Sequence, residues 1–261
     1  MQNHFKSLAV SVVCLFPLFA TVGCATSDVI EHAGRSHEER EELIRPGDLG
    51  GAADNRRWLF DFWNKQVVRE DVLVGTVFMG DSITEFWNLP VYFTATNGIM
   101  QNRGIGGDVA SVMAKRFQAD VVQLLPRNVV ILAGSNDVTI MLTQKKDEAD
   151  IVREVSASIV AMMDQARAAG INTLVCSILP TRSGHITHAA GKPIIAAINE
   201  HIKTASAAKG CIYVDYAAQM SDEAGDLRKE LAYDSVHPNY AGYEVMTRML
   251  RDAAARHGLR L

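Results

Sequence analysis

The sequence predicts a three-layer α/β/α sandwich around a parallel sheet of five strands, and two observations lead to that prediction. Five short apolar runs lack polar alternation, which is typical of strands that are buried on both faces. Amphipathic helical patterns separate most of these runs, as the crossover connections of a parallel sheet require. The predicted strands are residues 74–79, 99–101, 129–133, 173–179 and 211–214.

Length and composition are those of an ordinary globular protein. The chain has 261 residues, of which 48% are hydrophobic and 21% are charged, enough for one large domain or two small ones. Its formal net charge of −4 indicates no basic surface for nucleic acid or for an anionic membrane. Four cysteines are too few for a disulfide framework in a chain of this length.

Residues 1–25 have the layout of an export signal. Lys6 precedes an almost wholly apolar run over residues 8–20, which is short for a membrane span of about 20 residues. The run Thr-Val-Gly-Cys that ends at Cys24 resembles a bacterial lipobox, in which the cysteine is lipidated, although leucine usually stands where Thr21 does. We therefore expect an exported protein that is periplasmic, anchored to the outer membrane through Cys24, or secreted. Release by cleavage near Ala25 and an uncleaved anchor stay open.

Residues 26–54 are predicted to be a polar lead-in or tether, because they offer little apolar surface to bury. A leading helix is predicted over residues 52–70, where Trp58, Leu59, Phe62 and Trp63 follow helical spacing. We expect this apolar stripe to pack on the sheet, and the alternative is that the two tryptophans line a binding site. One domain is predicted over residues 55–261, where no linker or internal repeat is visible.

Three later helices are predicted from apolar stripes that repeat every three or four residues. Glycine, a common residue just past a helix end, follows the first stripe at Gly170 and the second at Gly210. The stripes are Ile151, Val155, Ile159, Met162 and Ala166, then Ile194, Ile195, Ile198, Ile202 and Ala205, then Tyr243, Met246, Met249 and Leu250.

Polar and glycine-rich segments follow each of the five predicted strands. Because the carboxyl ends of parallel strands lie at the same edge of a sheet, we expect these segments to converge on one crevice. Together they contain a hydroxyl, an imidazole, carboxylates, a side-chain amide and glycine backbone. The segments are residues 80–82, 102–108, 134–137, 180–182 and 234–238.

These groups are the parts needed for nucleophilic acyl transfer. Ser82 follows the first strand, where it could be a nucleophile or only the N-cap of the next helix. His237 can take its proton, because an imidazole titrates near neutral pH. Asp234 lies three residues earlier, so on a tight loop both side chains can point the same way and the carboxylate can orient the ring.

Three groups could stabilise the oxyanion of a tetrahedral intermediate. They are the backbone amides of Gly107 and Ser82 and the side-chain amide of Asn136. This chemistry needs no cofactor, and none is predicted. The glycines of residues 104–107 lack the spacing of a nucleotide-binding loop.

Three alternatives stay open for these segments. Asn136 and Asp137 could form a simple turn, and Asp234 with His237 could cap a helix. A metal site could include Asp137 with two histidines, but loop histidines are commonly only solvated, so no metal is predicted. Those histidines are His185 and His188.

In their order along the chain, these segments resemble the four sequence blocks of the SGNH, or GDSL-type, serine hydrolase superfamily. The similarity extends from about Val74 to Met249, and Gly-Asp-Ser-Ile at residues 80–83 has isoleucine where the name motif has leucine. The resemblance implies a flavodoxin-like fold with strand order 2-1-3-4-5. It also implies residue roles: Ser82 as nucleophile, Gly107 and Asn136 as oxyanion donors, and Asp234 and His237 as acid and base.

Residues 102–107 and 178–180 look most like the branch that contains platelet-activating-factor-acetylhydrolase-like enzymes and carbohydrate esterases. We therefore expect a serine esterase for short acyl groups, acetyl in particular, with carbohydrate as a candidate alcohol. Trp87, Tyr92 and Phe93 could flank a sugar or simply pack in the core.

Two other functions stay open. One is lysophospholipase or longer-chain lipase-like hydrolysis. The other is an inert surface lipoprotein that binds a glycan or a partner. Membrane contact is expected only through the anchor at Cys24, and the sequence does not predict the oligomeric state. Cys176 and Cys211 lie in predicted strands as small buried residues, and we do not expect a disulfide between them.

Overall fold

The computed structural model describes residues 42–261. The predicted export signal, Cys24 and the first part of the polar lead-in lie outside the described residues. Within residues 42–261, no helix combines the length and the apolar character that a membrane crossing needs.

Five parallel strands form one sheet in the order β2-β1-β3-β4-β5, which confirms the predicted fold class and strand order. Successive residues of the central strands face opposite layers, so that Val77 and Met79 belong to one core and Phe78 to the other. The strands are β1 (Val74–Gly80), β2 (Ile99–Gly104), β3 (Asn128–Leu132), β4 (Asn172–Cys176) and β5 (Ile212–Val214).

Two strands end three residues away from their predicted ends, and the other ends agree to within one residue. β2 continues past Gln101 to Gly104, because the polar residues there pair through their backbone with the end of β1. β4 stops at Cys176 rather than at Leu179, because its neighbour β5 ends at Val214, the partner of Cys176. The ends of these two strands are set by backbone pairing with the neighbouring strand, so side-chain polarity does not predict them.

Helices cover both faces of the sheet. One core lies beneath α1 (Gly51–Arg69), α4 (Ala110–Asp120), α5 (Ser135–Thr143), α6 (Glu148–Ala168) and α7 (His188–Lys209). The other lies beneath α2 (Ser82–Glu85), α3 (Leu89–Tyr92), α8 (Tyr216–Met220) and α9 (Tyr240–Arg256).

The stripes predicted for the later helices are confirmed in α6, α7 and α9. Each contributes its core-facing residues as predicted, with Ala205 and Met249 only partly buried. Gly170 and Gly210 adopt positive φ angles of 64° and 70° at the ends of α6 and α7, the left-handed conformation that glycine accommodates without strain.

The prediction that the apolar stripe of the leading helix packs on the sheet is wrong. In α1 the side chains of Trp58, Phe62 and Trp63 are 71%, 52% and 48% exposed. The helix instead buries a different set of side chains, and the Asn64 amide donates to the carbonyl of Ala119 at 3.0 Å. The buried set is Ala53, Phe60, Asn64, Val67 and Val68. The apolar spacing fails because the buried face of α1 combines apolar side chains with Asn64, whose polar contacts to α4 and β2 fix the face that the helix turns inward.

Cys176 and Cys211 are both free thiols, although they lie in or beside the adjacent strands β4 and β5.

Candidate active site

Ser82 lies where the sequence places it, at the junction of β1 and α2. The carboxylate of Asp81 accepts a hydrogen bond from the backbone amide of Ile83 at 2.9 Å, so Asp81 is the N-cap. The alternative that Ser82 caps the helix is therefore wrong, because Ser82 is the first helical residue. The turn is tight: a Cβ added to Gly80 would lie 2.8 Å from the carbonyl oxygen of Leu132.

The structure brings Ser82, His237 and Asp234 together in one hydrogen-bonded chain. Ser82 Oγ lies 2.9 Å from His237 Nε2, and His237 Nδ1 lies 2.8 Å from Asp234 Oδ2. The other carboxylate oxygen of Asp234 accepts the backbone amides of Val236 at 2.8 Å and His237 at 2.7 Å. Asp234 thus holds both the loop and the ring, and it does not cap a helix.

Asp234 is electrostatically suited to stay ionised. Burial by itself raises the pKa of its carboxyl. Hydrogen bonds from the backbone and ring of His237 and from the Val236 amide outweigh that effect and hold the pKa below its usual value. The imidazole therefore faces a carboxylate at neutral pH.

The expected oxyanion donors lie at the ends of neighbouring strands, after β2 and β3, on either side of the strand that leads to Ser82. A Cβ added to Gly106 would lie 3.8 Å from the Cβ of Ser82, so the loop after β2 passes beside the serine. Gly107 has a φ of 80°, and no acceptor within residues 42–261 bonds to its amide or to that of Ser82. The Asn136 amide donates to the carbonyl of Asp108 at 2.9 Å, which leaves its second hydrogen available.

Two side chains that the sequence analysis missed brace this loop. Glu85 Oε2 accepts the amide of Gly106 at 2.6 Å, and its other oxygen bonds to Arg56 of α1. Arg116 is fully buried in α4 and donates to Asp108 Oδ2 at 2.8 Å. In the sequence Arg116 stands between Lys115 and Phe117, and nothing there distinguishes it from a solvated cation.

Arg116 also ties the loop to the ends of two strands. One guanidinium nitrogen donates to the carbonyl of Gly80 at 3.2 Å and to that of Arg103 at 2.9 Å. A second nitrogen pairs with Asp120 at 3.0 Å. The nucleophile turn and the oxyanion loop therefore share one buried cation.

Buried carboxyl groups lie beneath the site. Burial raises the pKa of Asp81 to about 7 and that of Asp137 to about 6. Burial also raises the pKa of Asp108, although Arg116 counteracts it. Asp137 accepts the amide of Ala110 with both oxygens, at 3.1 and 3.0 Å, so it joins α5 to the start of α4 and is not part of a simple turn.

The residues of the metal alternative do not come together. His188 lies 3.1 Å from Asp226 and 2.9 Å from the Thr181 hydroxyl, while Asp137 is occupied by Ala110. Across residues 42–261, no group of three or more His, Cys, Asp or Glu side chains is arranged to hold a metal ion.

Of the three aromatic residues after the nucleophile, two pack in the core. Trp87 and Phe93 are buried, and their rings lie 5.6 and 5.3 Å from that of Phe78. Tyr92 differs, since it lines a surface cleft next to the site.

Residues 78–245 match the model of the GDSL-like Lipase/Acylhydrolase family. The chain belongs to this family. Family members act on ester bonds, so the protein is a carboxylic ester hydrolase, and the resemblance inferred from its four sequence blocks is confirmed.

Several solved structures share the fold of this chain. A GDSL-like lipase from Bacteroides thetaiotaomicron is 27% identical, with a TM-score of 0.66 over 77% of this chain and 97% of that one. A Streptococcus pneumonia protein described as a candidate platelet activating factor is 22% identical, with a TM-score of 0.64 over 77% and 93%. An acetylxylan esterase from Geobacillus stearothermophilus is 17% identical, with a TM-score of 0.55 over 69% and 93%. No curated protein matches the chain.

Proposed function

We propose that this acylhydrolase cleaves short acyl esters through a triad of Ser82, His237 and Asp234. The observation that supports the proposal most is the unbroken chain of contacts, 2.9 Å from serine to imidazole and 2.8 Å from imidazole to carboxylate. A hydroxyl bonded to a base that is itself oriented by a carboxylate is an activated nucleophile.

In the proposed mechanism, Ser82 Oγ attacks the ester carbonyl carbon while His237 Nε2 accepts the serine proton. The negative oxygen of the tetrahedral intermediate bonds to the amides of Gly107 and Ser82 and to the Asn136 side chain. His237 then gives the proton to the departing alcohol oxygen, which leaves an acyl-enzyme. Water, deprotonated by His237, then attacks the acyl carbon. His237 returns that proton to Ser82 Oγ as the bond to the acyl group breaks and the acid leaves, and Asp234 stays ionised throughout.

Acetyl is the acyl group that we favour, with a carbohydrate as its alcohol. Acetylxylan esterases share the fold of this chain. An exported location, predicted from residues 1–25, would place the enzyme where polysaccharide esters occur.

A groove of about 820 Å³ favours a second candidate, hydrolysis of longer acyl chains. It lies beside α2, α3 and the edge of β2, and its apolar walls include Leu89, Phe93, Ile99 and Met100. Glu85 and Phe86, which follow Ser82 on α2 and at its end, also line the groove, so it begins close to the nucleophile. Rates on p-nitrophenyl esters of two to twelve carbons separate the candidates, because a preference that rises beyond eight carbons contradicts the acetyl proposal.

The direct test of the triad is turnover of p-nitrophenyl acetate by the purified enzyme and by Ser82→Ala. We expect the variant to lose at least about 10³-fold in kcat, since the nucleophile is missing. Thr139→Ala is the matched control, because its hydroxyl bonds to the Ser135 carbonyl of α5 and not to the triad. Unchanged turnover in Ser82→Ala would contradict the triad. A wild type that does not hydrolyse the ester at all would favour the inert binding protein.

We further propose that the enzyme is exported and lipidated at Cys24. Expression of the full chain with a radiolabelled fatty acid should label the wild type and not Cys24→Ala. Label in both proteins, or a cytoplasmic wild type, contradicts the proposal.

A further inference from the structure

A cleft of about 230 Å³ opens beside the imidazole of His237. The ring of Phe86 lies 5.4 Å from that of His237, and Pro238, which follows the histidine, forms part of the wall. We call it the aromatic cleft and define it by Phe86, Asn88, Tyr92, Tyr233, Tyr240 and Tyr243.

The floor of the aromatic cleft is fixed to the nucleophile helix. The hydroxyl of Tyr243 donates to the carbonyl of Ile83 at 2.8 Å, one residue after Ser82. The ring of Tyr243 packs 6.2 Å from that of Tyr92, whose hydroxyl donates to the Tyr240 carbonyl at 3.3 Å. A ligand on this floor would therefore have a fixed position relative to the Ser82 hydroxyl.

The rim of the cleft offers exposed ring faces and unused polar groups. Phe86, Tyr233 and Tyr240 are 59%, 80% and 76% exposed. Within residues 42–261, the Asn88 amide and the hydroxyls of Tyr233 and Tyr240 have no hydrogen-bond partner, and Asn88 does not cap α3. In contrast, the amide of Asn239 is occupied by the Glu230 carbonyl at 2.9 Å.

This combination suits a ring with apolar faces and a polar edge. A pyranose has such a shape, because its C–H faces can lie on aromatic rings while its hydroxyls bond to amides and phenols. The cleft is smaller than the roughly 300–1,000 Å³ of sites for drug-sized ligands, which suits a single ring. No lysine, arginine, aspartate or glutamate lines the cleft, so the phosphate of a lipid headgroup would lack a partner.

The position of the cleft decides which part of a substrate it holds. Because His237 Nε2 must give its proton to the departing alcohol, that alcohol lies on the side of the histidine. We propose that the aromatic cleft is the subsite for one neutral pyranose ring, the alcohol part of an acylated carbohydrate. This inference rests on the proposed triad.

Specificity ratios test the subsite. The measurement is kcat/KM for a monoacetylated methyl xylopyranoside divided by kcat/KM for ethyl acetate, which has no ring. We expect the ratio to fall about tenfold, which corresponds to about 1.4 kcal/mol, in Tyr233→Ala and in Tyr240→Ala, since each variant loses one face of the sugar contact. Both side chains are exposed, so neither change should affect folding. Trp58→Ala, an equally exposed aromatic on α1, is the control, and its ratio should equal that of the wild type.

Acetylcholine and phenyl acetate form the other arms, because an aromatic cleft could also hold a quaternary ammonium or an aryl ring. The proposal is overturned if the sugar ratio is unchanged in both tyrosine variants, if only the acetylcholine or phenyl acetate ratio falls, or if the wild type prefers ethyl acetate to the xyloside. The triad fails separately, if Ser82→Ala still hydrolyses ethyl acetate.

Discussion

Asp234 shows at the scale of one residue how the site is set. Its two oxygens have different partners, since one accepts two backbone amides of its own loop and the other accepts the imidazole. The same carboxylate thus fixes the position of His237 and the tautomer in which its Nε2 can take a proton.

Asp234→Asn should preserve the conformation of the loop but no longer hold His237 in the tautomer whose Nε2 accepts the serine proton. An asparagine oxygen can still accept the two amides, but its NH₂ group cannot accept the Nδ1 proton. We expect kcat to fall about 10³–10⁴-fold, measured with p-nitrophenyl acetate. Asp222→Asn is the matched control, because Asp222 also accepts two amides of its own turn and does not contact the triad. Equal kcat values for the two variants would contradict this role.

The buried carboxyl of Asp81 should make the free energy of unfolding depend on pH. One of its oxygens has no hydrogen-bond partner within residues 42–261, and burial raises its pKa from an ordinary 3.8 to about 7. Because the folded pKa is the higher one, its contribution is fully present below about pH 4 and is lost as pH rises through 7. The free energy of unfolding of Asp81→Asn, relative to that of the wild type, should therefore be roughly 1–3 kcal/mol higher at pH 8 than at pH 5.

Urea denaturation at the two pH values measures this gain. Asp147→Asn is the control, since Asp147 is also a helix N-cap but is exposed, and its effect should be equal at both pH values. A gain that is the same at pH 5 and pH 8 for Asp81→Asn contradicts a neutral buried carboxyl.

At the scale of elements, the loop after β2 depends on the helices around it. Glu85 of α2 holds Gly106, and Arg116 of α4 holds Asp108, so the amide of Gly107 between them has a fixed direction. Fixed donors stabilise an oxyanion because they need no reorganisation when charge develops.

Glu85→Ala should let this loop move. We expect kcat to fall about tenfold with a small change in KM, which is part of the 10²–10³-fold cost of losing one oxyanion donor. Glu154→Ala removes a surface ion pair with Lys146 and should change neither constant. A rise in KM with unchanged kcat would show that Glu85 serves ground-state binding instead.

The site residues that follow the strands were predictable because their chemistry is visible in short local motifs. Three of these residues lie shortly after a strand, and the other two lie in the segment after the last strand. A parallel sheet implies that all five converge at one edge. They are Ser82, Gly107 and Asn136, and then Asp234 and His237. The bracing roles of Glu85 and Arg116 were not predictable, since each depends on backbone groups that are distant in sequence. The buried face of α1 was mispredicted because it is set in part by Asn64, whose polar partners Ala119 and Arg103 are distant in sequence.

At the scale of the whole molecule, α1 belongs with the hydrolase although it precedes the family match at residues 78–245. Asn64 Oδ1 accepts a hydrogen bond from the buried Arg103 at 2.8 Å, and Arg57 pairs with Asp120 at 2.5 Å. Without α1, both buried charges would lose a partner, which is strongly destabilising.

Truncation tests this dependence. A chain that starts at residue 42 should retain the melting temperature of the full mature protein. A chain that starts at residue 71 should melt roughly 6–20 °C lower or fail to fold, because a loss of about 3–5 kcal/mol lowers the melting temperature by about 2–4 °C per kcal/mol in a domain of this size. Equal melting temperatures would mean that α1 is an independent appendage.

The central claim is that Ser82 is the nucleophile of an intact triad, and one measurement tests it most directly. The purified protein is incubated with a fluorophosphonate, and the site of the adduct is mapped by peptide mass spectrometry. We predict one adduct per chain, on Ser82, and none in Ser82→Ala. An unmodified wild type, or an adduct on any other residue that persists in Ser82→Ala, would contradict the claim.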